Sequence, residues 1–333
     1  MQSGFWGSFK SSFGWEAFAY NVSFFNENAP LEMSLLVLCR KLAPGFSLAY
    51  IPWGPELDSG FEYKELFCKE LALALKKVLP KNVFFIRFDP PWHINNSERS
   101  IESFKPPFIR SAMDIQPPDS VIINLDMPME AILEQMKPKW RYNARLAVKK
   151  GVKVREGEAG EINIFCDLLK KTAARDKIAI HSLAYYEWLL KNNYEGVKPV
   201  IKLYFAEHEG DILAGIMTLF WKTEAVYLYG ASSDVKRNLM APYALQLKAM
   251  EDAKNAGCTE YDLYGIPPNE DPQHPMAGLY RFKTGFGGSI IHRPGCRDYP
   301  CRPLLYKIFR LMEKTRKYLR DFKKGAALKI YRQ

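Results

Sequence analysis

Short apolar runs rich in β-formers alternate with one helix-spaced stretch along the first 130 residues. AFAYNVSFF (17–25) and MSLLVLCRKL (33–42) predict strands, and FSLAYIPWGP (46–55) predicts a strand ending in a turn. FEYKELFCKELALALKKVL (61–79) repeats its apolar residues at helical spacing and stops at Pro80. NVFFIRFDPPW (82–92) reads as a strand closed by paired prolines. A Pro- and Ser-rich loop follows, and then the strand SVIINLDMP (120–128).

The second half has a sharper pattern. Two helix-like segments (161–176 and 183–193) precede three strands joined by the tight turns EGD (209–211) and KTE (222–224). A helix over about 239–256 ends at Gly257, the strand EYDLYGI (260–266) follows, and a last strand pair is expected around residues 279–292. Helix, helix, three-strand meander, helix, strand, strand is the order of a GNAT-type acyltransferase. The first half is compatible with a second, degraded copy. The expected architecture is therefore α/β (α+β), with two GNAT-like domains around a shared cleft and no inserted coiled-coil arm. The expected boundaries are 1–150, joined by a C-terminal helix at 302–333, and 151–301.

Composition confirms a packed globular chain, with 47% hydrophobic and 25% charged residues. Charge changes the picture more. The net charge is +10, and residues 137–155 carry eight Lys or Arg and no acid. From Arg302 onward eleven basic residues face two acidic ones. Such clusters point to an anionic partner, either nucleic acid, a phosphorylated metabolite or a membrane surface; a basic face kept for solubility is the plainer reading. The tail is amphipathic, and its Leu304, Leu305, Ile308, Phe309 and Met312 stripe is expected to dock on the protein itself, with a membrane-surface role as the alternative. No apolar leader or spanning run is present, and the six cysteines form no CxxC pair. A cytosolic chain with reduced core thiols and no metal site is expected.

GNAT enzymes seat the pyrophosphate of CoA on a glycine-rich turn at a helix N-terminus. Here the corresponding stretch, DVKRNLMAPYALQ, offers Arg237 but no glycine, and Pro242 removes an amide. A different, larger donor is implied. At this point VYLYGASSDVKRNLMAPYALQLKAMEDAKNAGCTEYDLYGI, followed by LYRFKTGFGG, resembles the Fem aminoacyltransferases (FemA, FemB, FemX; FemABX). The likeness extends to FWGSFKSSFGW (5–15), RFDP (87–90) and the basic stretch before GVKV, and the length is that of the compact FemX type. That family builds peptidoglycan cross-bridges. The resemblance implies transfer of an amino acid from aminoacyl-tRNA to the side-chain amine of a stem peptide, on a UDP-linked (UDP-MurNAc-pentapeptide) or lipid-linked precursor. It implies no cofactor, a monomer, and a cytoplasmic site with peripheral contact at the inner membrane surface. Its rivals are an N-acyltransferase using an acyl-CoA or acyl-carrier donor, and a non-catalytic tRNA- or membrane-binding relative.

The resemblance also assigns residues. Lys283 matches the lysine of the family's FK pair and would stabilise the oxyanion or contact the tRNA end, with Phe282 stacking on a terminal base. On its surroundings alone, a lysine between aromatics is more often snorkelling or in a cation–π contact. Asp89 would orient the incoming amine or accept its proton; otherwise it is a loop-cap aspartate before proline. Lys10 would bind the precursor diphosphate; otherwise it is an exposed helix lysine. Where compact members carry an arginine, this chain has His181 and Ser182, so Arg175 or the 137–155 cluster would have to compensate. Tyr227, Tyr229 and Tyr243 line up with cleft tyrosines, the last two being the better candidates for substrate hydrogen bonds, although core tyrosine fits equally. Arg237 would meet RNA or pyrophosphate, and Trp140 and Tyr142 among cations suit RNA contact.

Overall fold

The computed structural model describes residues 1–25, 31–58, 60–94, 104–191 and 194–315. The chain divides into two compact units, Met1–Pro118 with His292–Gln333, and Asp119–Ile291.

The first unit opens with α1 (Gly4–Ser11), whose N-terminus is capped by the Ser3 side chain. β1 (Glu16–Phe24) and β2 (Leu31–Ala43) pair antiparallel, and β3 (Phe46–Ile51) joins β2. α2 (Lys64–Val78) then buries Phe67, Cys68, Leu71, Ala72 and Leu75 along one face and ends before Pro80. It is the crossover that lets β4 (Val83–Phe88) lie parallel to β3. β5 (Ile109–Arg110) is short.

The second unit begins with β6 (Asp119–Asn124), α3 (Met129–Gln135), α4 (Pro138–Lys149) and β7 (Lys153–Gly157). α5 (Ile162–Asp176) and α6 (Leu183–Lys191) precede the meander of β8 (Val200–His208), β9 (Asp211–Trp221) and β10 (Glu224–Ser232). Both tight turns place residues in the left-handed region, Glu209 and Gly210 in one and Lys222 in the other. α7 (Ala241–Asn255) carries the chain across to β11 (Glu260–Asp262), parallel to β10. α8 (Ala277–Thr284) and β12 (Ser289–His292) follow, and β13 (Arg297–Pro300) returns to the first unit. The sheets run β1-β2-β3-β4-β13-β5 and β12-β6-β11-β10-β9-β8-β7, so both are mixed. Among the described residues no helix exceeds 15 residues and none forms an inserted arm.

Four expectations differ from this structure. The boundaries at 150 and 301 lie elsewhere: β6 pairs with β11 and α4 packs on α7, which draws residues 119–150 into the second unit. β13 pairs with β4, which returns the chain to the first unit from His292 on. The expected strand pair at 279–292 is a helix, α8, followed by the single strand β12. The strand expected over 260–266 stops at Asp262, because Tyr264 turns left-handed (φ 56°).

The tail is the fourth case. Residues 303–315 are helical, but the docked face is Tyr306 and Phe309, whose rings meet Phe84 and Phe85 at 5.2–5.5 Å. Leu304, Ile308 and Met312 of the expected docking stripe are exposed. The rest of the tail lies outside the described residues. All six cysteines are free and buried, as small core hydrophobes.

Candidate functional site

In the second unit Lys283 sits in the last turn of α8 and is only 5% exposed. Its Nζ donates to the carbonyls of Tyr264 and Gly265, the latter at 3.0 Å, and lies 5.2 Å from the Tyr227 ring centre. The acceptors are aimed by a local device. One oxygen of Asp262 accepts both the Ser120 hydroxyl and, at 2.6 Å, the Tyr264 N–H. This holds Tyr264 in a backbone region that costs a non-glycine residue about 1–3 kcal/mol. Burial pushes the Lys283 ammonium down to about 7, and the Asp262 carboxylate pulls the other way.

The rings and glycines around Lys283 pack closely on one another and on neighbouring elements. Phe282 is half-buried against Tyr243 and Phe286 at 5.4 and 5.1 Å, and Trp140 donates from its indole nitrogen to the Phe282 carbonyl at 2.8 Å. A Cβ on Gly285 would overlap that indole, and one on Gly288 (φ 78°) would overlap the Ile122 carbonyl. Trp140 therefore faces α8 from α4, while Tyr142 is exposed on the same helix.

A separate aromatic cluster lies between α6 and β10. His181 stacks on Tyr185 at 3.8 Å, and Tyr229 donates to the Tyr185 hydroxyl at 3.3 Å, with Tyr186 completing the group. Burial raises the Tyr185 phenol to about 12 and drives Tyr229 higher still, so both remain neutral hydrogen-bonding groups. Tyr243 belongs to the other cluster, with Trp140 and Phe282. Arg175 is occupied by Asp176, Asp234 and the Ser232 carbonyl. Arg237 is exposed in a 3-10 turn flanked by left-handed Lys236 and Met240, with Asp234 at 3.8 Å.

In the first unit Asp89 follows β4 and is buried. Tyr50 donates to its carboxylate at 2.7 Å and the Gln116 N–H at 3.3 Å. Burial lifts its pKa from 3.8 to about 6 against the Tyr50 hydrogen bond. Lys10, in the last turn of α1, places Nζ 4.8 Å from the Trp6 ring and 5.1 Å from Phe9. Burial and then the Arg40 guanidinium lower it to about 8. Arg40 lies 5.3 Å from the Trp15 ring, which is 5.9 Å from Tyr50. Two cations, an indole and a poised carboxyl thus share this unit. Sequence reasoning missed Arg40, Trp15 and Tyr50 here, and Asp262 and Ser120 in the other unit. Arg40 ends an apolar strand run and Asp262 precedes Tyr264 only at a distance of two residues, so neither carries a motif of its own.

The raised Asp89 pKa has a stability consequence. Between about pH 4 and pH 6 the native state holds a proton that the unfolded chain has lost, so stability falls as pH rises through that window. The full cost, about 3 kcal/mol, is present at pH 7. Asp89→Asn is expected to remove this pH dependence. Urea unfolding at pH 4 and pH 7 checks it; identical differences in both proteins would contradict the desolvated carboxyl.

The second unit thus holds a buried cation, Lys283, and the first holds a buried carboxyl, Asp89, and the two cations Lys10 and Arg40. The FemAB family pattern matches residues 1–114, 107–207 and 198–314. The chain belongs to the FemAB family, and is an aminoacyltransferase by class. It is 22% identical over 376 residues to the Lipid II:glycine glycyltransferase of Staphylococcus epidermidis, with 92% of this chain and 89% of that protein covered. The Staphylococcus aureus enzyme of the same name is 22% identical over 377 residues, covering 91% and 88%. The crystal structure of FemX superimposes with a TM-score of 0.76 at 19% identity, covering 93% of this chain and 94% of that one, a likeness of fold. Among the described residues no helix is long and apolar enough to cross a membrane.

Proposed function

We propose that this protein moves an aminoacyl group from aminoacyl-tRNA to the side-chain amine of a stem peptide on a lipid-linked peptidoglycan precursor, at the cytoplasmic face of the membrane. The reading uses no cofactor and takes the protein as a monomer. The observation that carries it is the buried Lys283 ammonium, aimed by two carbonyls, in a family whose relatives are named for glycyl transfer to lipid II.

The amine nitrogen attacks the ester carbonyl carbon; a C–N bond forms and the ester C–O bond breaks. The amine gives up a proton and the ribose oxygen gains one. Lys283 supports the negative charge developing on the carbonyl oxygen, and Asp89 receives the amine's proton. Lys10, with Arg40 beside it, holds the precursor diphosphate. Phe282, Tyr229, Tyr243, Arg237, Arg175 and the basic helix α4 serve the RNA and peptide. The missing glycine turn before α7 supports a donor other than CoA.

The test combines the protein with a mixture of charged tRNAs and either UDP-linked or lipid-linked stem peptide, followed by mass analysis. The expected result is an aminoacyl increment on the lipid-linked acceptor that disappears after ribonuclease treatment. An increment from acyl-CoA that survives ribonuclease, or no turnover with any charged tRNA, overturns the reading.

A further inference from the structure

The helix over 303–315 is docked on one side only. Tyr306 is buried and donates to Asp298, and Phe309 packs on Phe84 and Phe85, so the helix is anchored to its unit. On the side turned outward, Leu304 is 76% exposed, Ile308 58%, Leu311 68% and Met312 50%. Their spacing puts them in one stripe along the helix. Lys307 and Lys314, one heptad apart, border the stripe along one edge, and both are exposed. At the N-terminal end of the helix a hollow of about 220 Å³ is lined by Lys76, Lys81 and Arg302 around Leu79, Pro80 and Val83. Arg302 is fixed at its rim by donating to the Lys81 carbonyl at 2.7 Å. Seven more basic residues and one acid follow beyond residue 315 in the sequence.

We infer that the outward face of helix 303–315, with the basic hollow at its end, docks this protein on an anionic phospholipid surface. Four contiguous aliphatic side chains bordered by lysine are the composition of an interfacial helix, apolar toward the acyl boundary and cationic toward the headgroups. RNA would satisfy the cations but bury none of the aliphatic stripe. The hollow offers a phosphate three cationic neighbours beside apolar walls, which suits a phospholipid headgroup. The surface belongs to the first unit alone and does not depend on the proposed reaction.

Flotation of the full chain with lipid vesicles, without donor or acceptor substrate, tests it. One set holds phosphatidylglycerol and phosphatidylcholine in equal parts, the other phosphatidylcholine alone. The protein is expected to float with the anionic set, less so as salt rises. Leu304→Asp with Leu311→Asp should lower that binding about ten-fold or more. Lys307→Glu with Lys314→Glu, and Lys76→Glu with Lys81→Glu, should each weaken it at an unchanged melting temperature. Wild-type binding by the Leu304/Leu311 variant, or equal binding to both vesicle sets, overturns the inference. So does a dimer in sedimentation that the same variant dissociates, since a second copy would then cover the stripe.

Discussion

Lys283→Met is expected to lower aminoacyl transfer about 10²–10³-fold, the loss typical of removing one preorganised oxyanion partner. Stability should move far less, because two effects oppose each other. Methionine relieves the burial of an ammonium whose pKa has fallen from 10.5 to about 7. It also strips a donor from the Tyr264 and Gly265 carbonyls, at about 1–3 kcal/mol for each buried group left unpaired. The wild-type pH dependence follows from the same shift. Between about pH 7 and pH 10.5 the unfolded chain holds a proton the native state has released, so native stability rises with pH across that window. Activity that needs the cation runs the other way and falls as pH rises through about 7. Asp262→Asn removes a carboxylate that acts on this lysine and should move the falling limb to lower pH. Single-turnover rates across pH, alongside thermal melts, separate the roles: a Met variant with wild-type turnover ends the assignment of charge to catalysis.

Asp298→Ala is expected to destabilise the first unit by about 3–5 kcal/mol, a large share of a typical domain's stability. Asp298 is fully buried and receives both Arg87 Nε and Nη2, at 2.7 and 2.8 Å, as well as the Tyr306 hydroxyl at 2.7 Å. Alanine leaves the Arg87 guanidinium buried without its counter-ion and frees the helix anchor together with it. Burying a charge alone costs more than the pair contributes, so Arg87→Met combined with Asp298→Leu should recover much of the loss. Urea denaturation of the single and double variants measures both. A change below about 1 kcal/mol in Asp298→Ala would mean that the pair is solvated.

The same pair shows where sequence reading stopped. RFDP drew attention to Asp89, and Asp89 does follow its strand in a buried network. Arg87, two residues earlier, looked like part of the motif, yet its partner is 211 residues away on β13. No local pattern reports a contact of that separation. The β8–β9–β10 meander was readable because its strands are consecutive and its turns carry Gly210 and Thr223 beside left-handed residues. The α7 crossover was readable too, since its apolar face and the glycine after it are local signals. The segment around Lys283 reads as strand because its aromatics favour strand on propensity. Leu279, Phe282 and Phe286 in fact follow helical spacing, and the glycines are set by the Trp140 ring and the Ile122 carbonyl.

By itself the sequence determined the alternation of strands and helices, the β8–β9–β10 meander with the α7 crossover after it, and the runs of basic residues, and it marked Lys283, Asp89 and Lys10 as candidates. Those depend on spacing and residue type within a few turns of chain. Tertiary structure alone decided that Lys283 is buried against backturned carbonyls, that Asp262 fixes the turn presenting them while Arg40 acts on Lys10, and that the tail helix leaves an aliphatic stripe outside. Each depends on groups distant in the chain brought within hydrogen-bond or ring-contact distance, where low dielectric and packing, rather than propensity, set the outcome.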